Sequence, residues 1–221
     1  MIAAHIHDAL AQVRRLQDLI LRKRLFEGYS GKARILSGSA ALAASALMAS
    51  GFYPATPAAH LAGWAAVLAV ALALNYGALA RWYFGDPRVR AEPALLKPAL
   101  DALPALAVGG ALTVALVAAG QHRLLFGAWM SLFGLAHLAY KQSLPGENYA
   151  VGLFYVAAGT VCLLWPRLTF LNPWPMGLVF FAGELAGGLV LIKHRHRAAF
   201  EEAPDEPPPP ADPGGDPGAE P

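Results

Sequence analysis

The chain has 221 residues, 56% of them hydrophobic and 14% charged, with a mean hydropathy of +0.42. A soluble domain needs about a quarter of its residues charged to solvate its surface. Here seven of the 15 acids lie beyond residue 200, so the formal net charge of +2 hides an apolar, basic body behind an acidic tail. That excludes an ordinary soluble domain and a nucleic-acid binder, and it points to an all-α integral membrane protein.

The first element, residues 5–26, reads as an amphipathic helix. Ile6, Leu10, Val13, Gln17 and Ile20 recur at spacings of four and three and share one face. Arg14, Arg15, Arg22, Lys23 and Arg24 supply positive charge suited to anionic lipid headgroups. The plainer alternative is a cytoplasmic helix docked on the protein's own loops. The segment lacks the apolar core and small-residue cleavage site of a secretory signal, so no processing is expected.

Six apolar runs follow, at 35–53, 61–84, 100–120, 124–140, 149–165 and 174–192. Each approaches the roughly 20 residues that a helix needs to cross about 30 Å of hydrocarbon. A backbone in lipid must satisfy its own hydrogen bonds, so these runs are predicted to be helices. The fourth and fifth are short, and Lys97, Asp101 and Pro104 crowd the entry of the third.

Charge orients the runs. Of 17 Lys and Arg residues, 15 fall in the N-terminal segment, after the second and fourth runs, or after the sixth; the alternate connections hold only Arg123 and Arg167. Positively charged flanks stay cytoplasmic, so both termini are expected inside. Tyr53, Trp82, Tyr83, Tyr140, Tyr149, Trp165 and Trp174 lie near the run ends, where interfacial aromatics belong. The resulting organisation is a cytoplasmic helix and basic linker over 1–34, a six-helix transmembrane domain over 35–197, and a tail over 198–221. That tail carries eight prolines and is acidic. It has no apolar content with which to offset the entropy of ordering, so it is expected to be disordered.

Glu184 is the one acid deep in any run, inside FFAGELAGGLVLI. An ionised carboxylate there must be paired, wet or protonated. One reading is a proton or cation site; the other is a hydrogen-bonded residue joining two helices. Gly183, Gly187 and Gly188 surround it, and Gly183 to Gly187 is a GxxxG step that lets a neighbour approach closely. Ala41, Ser45 and Ala49 make a similar stripe on the first run, and Gly127 and Gly134 give the fourth a narrow face. His137, toward the cytoplasmic end of the fourth run, is the second candidate polar residue. It could form a relay with Glu184 or be hydrogen-bonded near the interface.

No second ligand lies at i+3 or i+4 of His137, so no metal is expected, and the other histidines sit at run edges, against haem. Cys162 is alone and reads as a packing residue. No GxSxG, P-loop, HExxH or dinucleotide fingerprint is present, so no catalytic residue and no cofactor are assigned.

The Ser37-Gly38-Ser39-Ala40-Ala41 opening of the first run, with the stretches LFGAWMSLFGLAH and GLVFFAGELAGGLVLI, resembles a loosely defined group of bacterial multi-pass inner-membrane proteins. That group has no assigned activity, and Glu184 stands where a histidine is expected in its last span, so no residue role carries over. The resemblance implies topology and a bacterial inner membrane. Two functions remain open on the sequence. One is a small membrane scaffold or regulatory component contacting lipid and a protein partner or a second copy. The other is a proton-coupled small-molecule transporter using Glu184. An intramembrane enzyme would need a second polar residue facing Glu184.

Overall fold

The computed structural model describes residues 28–85, 87–90, 103–139 and 145–201, with the single positions 12, 96 and 100. The expected N-terminal helix, the Lys97–Asp101 entry and most of the acidic tail lie outside these residues. Among those described there is no strand, and six long helices make up the fold: α1 (Gly31–Met48), α2 (Pro57–Gly85), α3 (Leu103–Ala118), α4 (Leu125–Ala139), α5 (Asn148–Leu164) and α6 (Trp174–Glu201).

Local chemistry sets the helix ends. Ser30 caps α1, its hydroxyl accepting from the Ala33 N–H at 3.2 Å. Thr56 and Pro57 open α2 in the same manner, with the Thr56 hydroxyl accepting from the Ala59 N–H at 3.3 Å. α3 ends in a Schellman turn. Gly120 adopts φ +68°, its N–H bonds to the Val117 carbonyl, and the Gln121 N–H bonds to the Leu116 carbonyl. Two differences from the expected runs matter. α1 begins at residue 31, so Arg34, expected in the cytoplasmic flank, is a helical residue. α6 continues to Glu201, past the boundary expected at 197.

Two helices are long and apolar enough to span a membrane: α2, and the Trp174–Arg197 stretch of α6. The others are shorter or more polar. Large apolar side chains are exposed on every long helix, among them Leu36, Leu68, Val114, Leu135, Leu153, Val161 and Leu189, whereas Arg34, Ser37, Ser45, His137, Asn148 and Glu184 are buried.

The helices form two tight antiparallel pairs. α1 packs along its length against α6, and α4 along its length against α5; α2 leans on α1, α3 leans on α4, and packing between the pairs is far sparser. Glycines explain the tightness. A Cβ on Gly134 would lie 2.8 Å from the Gly152 carbonyl oxygen, and Cβ atoms on Gly127 and Gly159 would each lie 2.8 Å from the other's carbonyl. Gly127 and Gly134 thus face Gly159 and Gly152, seven residues apart on both helices. In the α1/α6 pair, Gly31 faces Gly188, Gly38 faces Glu184 and Phe180, and Ser45 with Ala41 faces Gly177. Ala49 lies just past the end of α1 and is exposed.

The seam between the pairs changes character along its length. At the end holding Phe170, the connection before α6 folds into the bundle. Phe170 is 4% exposed and packs with Met48, Trp64, Leu125, Phe126, Met130 and Met176. In the middle, Phe133, Tyr155 and Phe180 stack with centroids 4.9–5.1 Å apart. At the opposite end, where α1 and α5 begin and α4 finishes, the seam is polar.

Candidate functional site

Four helices each contribute to that polar end. Arg34 sits one turn into α1, His137 lies in the last turn of α4, Asn148 opens α5, and Glu184 lies near the middle of α6. The guanidinium grips the carboxylate with two parallel bonds: Arg34 Nε donates to Glu184 Oε2 at 2.9 Å, and Nη2 donates to Oε1 at 2.9 Å. The Tyr155 hydroxyl donates to Oε1 at 3.1 Å. Both side chains of the ion pair are 7% exposed. A planar guanidinium matches a carboxylate in this forked geometry, which makes the pair strong for its class.

Arg34 also reaches the other helix pair. Nη1 donates to Asn148 Oδ1, and Nη2 meets His137 Nε2, each at 2.9 Å. A guanidinium can only donate, so His137 Nε2 is the acceptor. The ring proton is therefore on Nδ1, which donates to the Phe133 carbonyl at 3.0 Å. His137 is accordingly a neutral imidazole with its tautomer fixed from both sides. Phe133 lies against it at 4.5 Å between centroids, and the Tyr155 ring at 5.7 Å.

The glycines near Glu184 have separate tasks. A Cβ on Gly187 would come within 2.5 Å of the Arg34 guanidinium carbon, so that residue makes the cradle in which the cation lies. Gly183 leaves room for the Tyr155 ring. Gly188 permits backbone contact, since a Cβ there would lie 2.7 Å from the Gly31 carbonyl oxygen.

Glu184 and His137 are thus brought into one cluster by Arg34 Nη2, which bonds to both. Arg34, Asn148 and Tyr155 escape sequence reasoning. Arg34 adjoins Lys32 at the edge of an apolar run, so charge counting places it in the flank. Nothing in spacing ties residue 34 to residue 184. The one available signal was GxxxG itself: an acid inside a stripe of small residues invites a bulky partner from a neighbouring helix. Glu184 does face further polar side chains, Tyr155 and Arg34, but every carboxylate oxygen is already engaged. Among the described residues no group of three or more His, Cys, Asp or Glu could hold a metal ion. Asn75 Nδ2 donates to the Ser37 hydroxyl at 3.0 Å, a separate polar link between α2 and α1.

Beyond the cluster, toward the same end, two exposed contacts lie at the surface. Arg195 donates to the Tyr29 carbonyl at 2.9 Å, and His194 Nε2 lies 3.0 Å from both oxygens of Glu147. The Glu147 carboxyl is held below its ordinary range by a hydrogen bond from its own backbone N–H and by His194.

No protein-family model matches the chain, and no curated protein and no solved structure shows significant similarity to it.

Proposed function

We propose that the protein is a six-span component of the bacterial inner membrane, with both termini cytoplasmic, and that it serves as a small scaffold or regulatory element. The observation that carries this reading is the occupancy of Glu184: Arg34 takes both of its oxygens and Tyr155 takes one again. A carrier needs a carboxylate that exchanges its proton or cation with water; this one is committed to a buried partner. Removing one member of such a pair costs about 3–5 kcal/mol, because the other charge is left unpaired in low dielectric.

Several features support the membrane reading. The coat of exposed Leu, Val and Phe around a polar interior suits a hydrocarbon solvent. Exposed Tyr149, Trp165 and Trp174 lie at helix ends, as interfacial anchors do. The basic flanks favour the Arg34 end as the cytoplasmic one. Arg14, Arg15, Arg22, Lys23 and Arg24, which precede the bundle in sequence, would then be the residues offered to anionic headgroups of the inner leaflet. The 35–197 bundle and the 198–221 tail would be free to meet a protein partner or another copy.

Purified protein in liposomes carrying an internal pH dye tests this reading against the transporter. Under an imposed pH gradient, wild type and Glu184→Gln should both match protein-free vesicles, while Glu184→Gln melts earlier. Flux through wild type that Glu184→Gln abolishes without changing its melting would overturn the scaffold reading.

A further inference from the structure

The polar cluster crosses the seam between the two helix pairs, but its charges do not. Arg34 is on α1 and Glu184 on α6, so the ion pair belongs entirely to the α1/α6 unit. What crosses between that unit and α4/α5 is four neutral or singly charged hydrogen bonds: Arg34 Nη1 to Asn148 Oδ1, Arg34 Nη2 to His137 Nε2, and Tyr155 Oη to Glu184 Oε1 and, at 3.4 Å, to the Phe180 carbonyl. The exposed Glu147–His194 contact crosses at the surface. Separating the units here therefore parts no ion pair in the interior.

The two crossing bonds of Arg34 lie where water can replace them, whereas those of Tyr155 lie deeper, beside the aromatic stack. Asn148 is the first residue of α5, His137 the third from the end of α4, and Arg34 the fourth residue of α1. All three lie within about one helical turn of the end of their helix. Hydrogen bonds exchanged for water bonds have a small net value, whereas apolar contacts have no aqueous replacement. The other end of the seam is of the second kind, closed by Phe170, Phe126, Met130 and Met176. Within each pair, carbonyl-to-glycine contacts along the length leave no room for slippage.

We propose that the molecule is a two-state element in which the α1/α6 and α4/α5 pairs part at the Arg34 end and pivot about the aromatic end, the Arg34–Glu184 pair staying closed throughout. This deepens the regulatory reading above and rests on it for its purpose, but not for its test. Parting exposes the freed Arg34 N–H groups, Asn148 and His137 together on the cytoplasmic side, while the Phe170 end stays sealed.

The test is distance measurement between paired spin labels in a Cys162→Ala background, on exposed positions only. Leu36 with Leu153 reads the seam at the Arg34 end, Leu47 with Val161 reads it at the Phe170 end, and Leu36 with Leu189 reads within one pair. Asn148→Ala with Tyr155→Phe removes every interior crossing bond except that of Arg34 to His137 and leaves the ion pair and the aromatic stack in place. In that variant the Leu36–Leu153 distribution should gain a longer population, and the other two should not change. An unchanged Leu36–Leu153 distance, or equal broadening of all three, overturns the proposal. If the double variant does not yield monodisperse protein, Tyr155→Phe alone is read by the same criteria. The outcome is independent of proton flux, so a closed seam and an active carrier are separate failures.

Discussion

His137 is constrained on both sides, because its two ring nitrogens are committed to opposite roles. One donates to the Phe133 carbonyl and the other accepts from a cation that has no lone pair to offer. A residue there must present an acceptor to Arg34 and need not titrate. Glutamine meets that need through its amide oxygen; leucine fills the space and leaves an Arg34 N–H unpaired. His137→Gln should therefore stay within about 1 kcal/mol of wild type, whereas His137→Leu should lose about 1–3 kcal/mol. Unfolding in detergent micelles measures both, and equal losses would contradict the acceptor role. The exposed Glu147 follows a different rule. Its carboxyl is lowered in the folded state, so what it adds to stability is present above its unfolded pKa and disappears as pH falls through the folded one.

At the scale of elements, hydropathy located all six long helices, though the first ends five residues before the expected run and the last nine residues after it, because apolar content marks a helix's middle better than its ends. The exceptions come from end chemistry. Ser30 supplies a cap upstream of the apolar run and draws Gly31 to Arg34 into α1, which turns an apparent flanking charge into an interior one. Small residues on the first and fourth runs were visible in sequence, but their partners were not. Gly152 and Gly159 acquire meaning only once they face Gly134 and Gly127. Those contacts meet backbone carbonyls, which cannot turn aside as a side chain would. Gly134→Leu should cost about 1–3 kcal/mol or more through forced separation of α4 from α5. Gly110→Leu, on an open face of α3 with nothing within 4 Å, should be close to neutral. Matching losses at the two positions in thermal melts would contradict the zipped-pair description.

For the whole molecule, the sequence made legible the helical class and the two helices long and apolar enough to span a membrane, because apolar length is a property of the chain alone. It left the arrangement of the helices illegible. That the first and last helices form one unit depends on contacts between residues more than a hundred positions apart, such as Arg34 with Glu184, and the pairing of the fourth and fifth depends on glycines whose facing partners no local pattern names. Glu184 stood out for being an acid in an apolar run; its partner did not, for being a base at the edge of one. The closure of the first and last helices onto each other through this buried pair underlies the scaffold reading, the seam and the role of Gly187. A double-mutant cycle tests it most directly, with Arg34→Gln, Glu184→Gln and the combined variant unfolded reversibly in the same micelles. Each single change should cost about 3–5 kcal/mol, and the combined variant should cost far less than their sum, since no unpaired charge remains. Strictly additive losses would mean that the two residues do not meet, and would contradict the account.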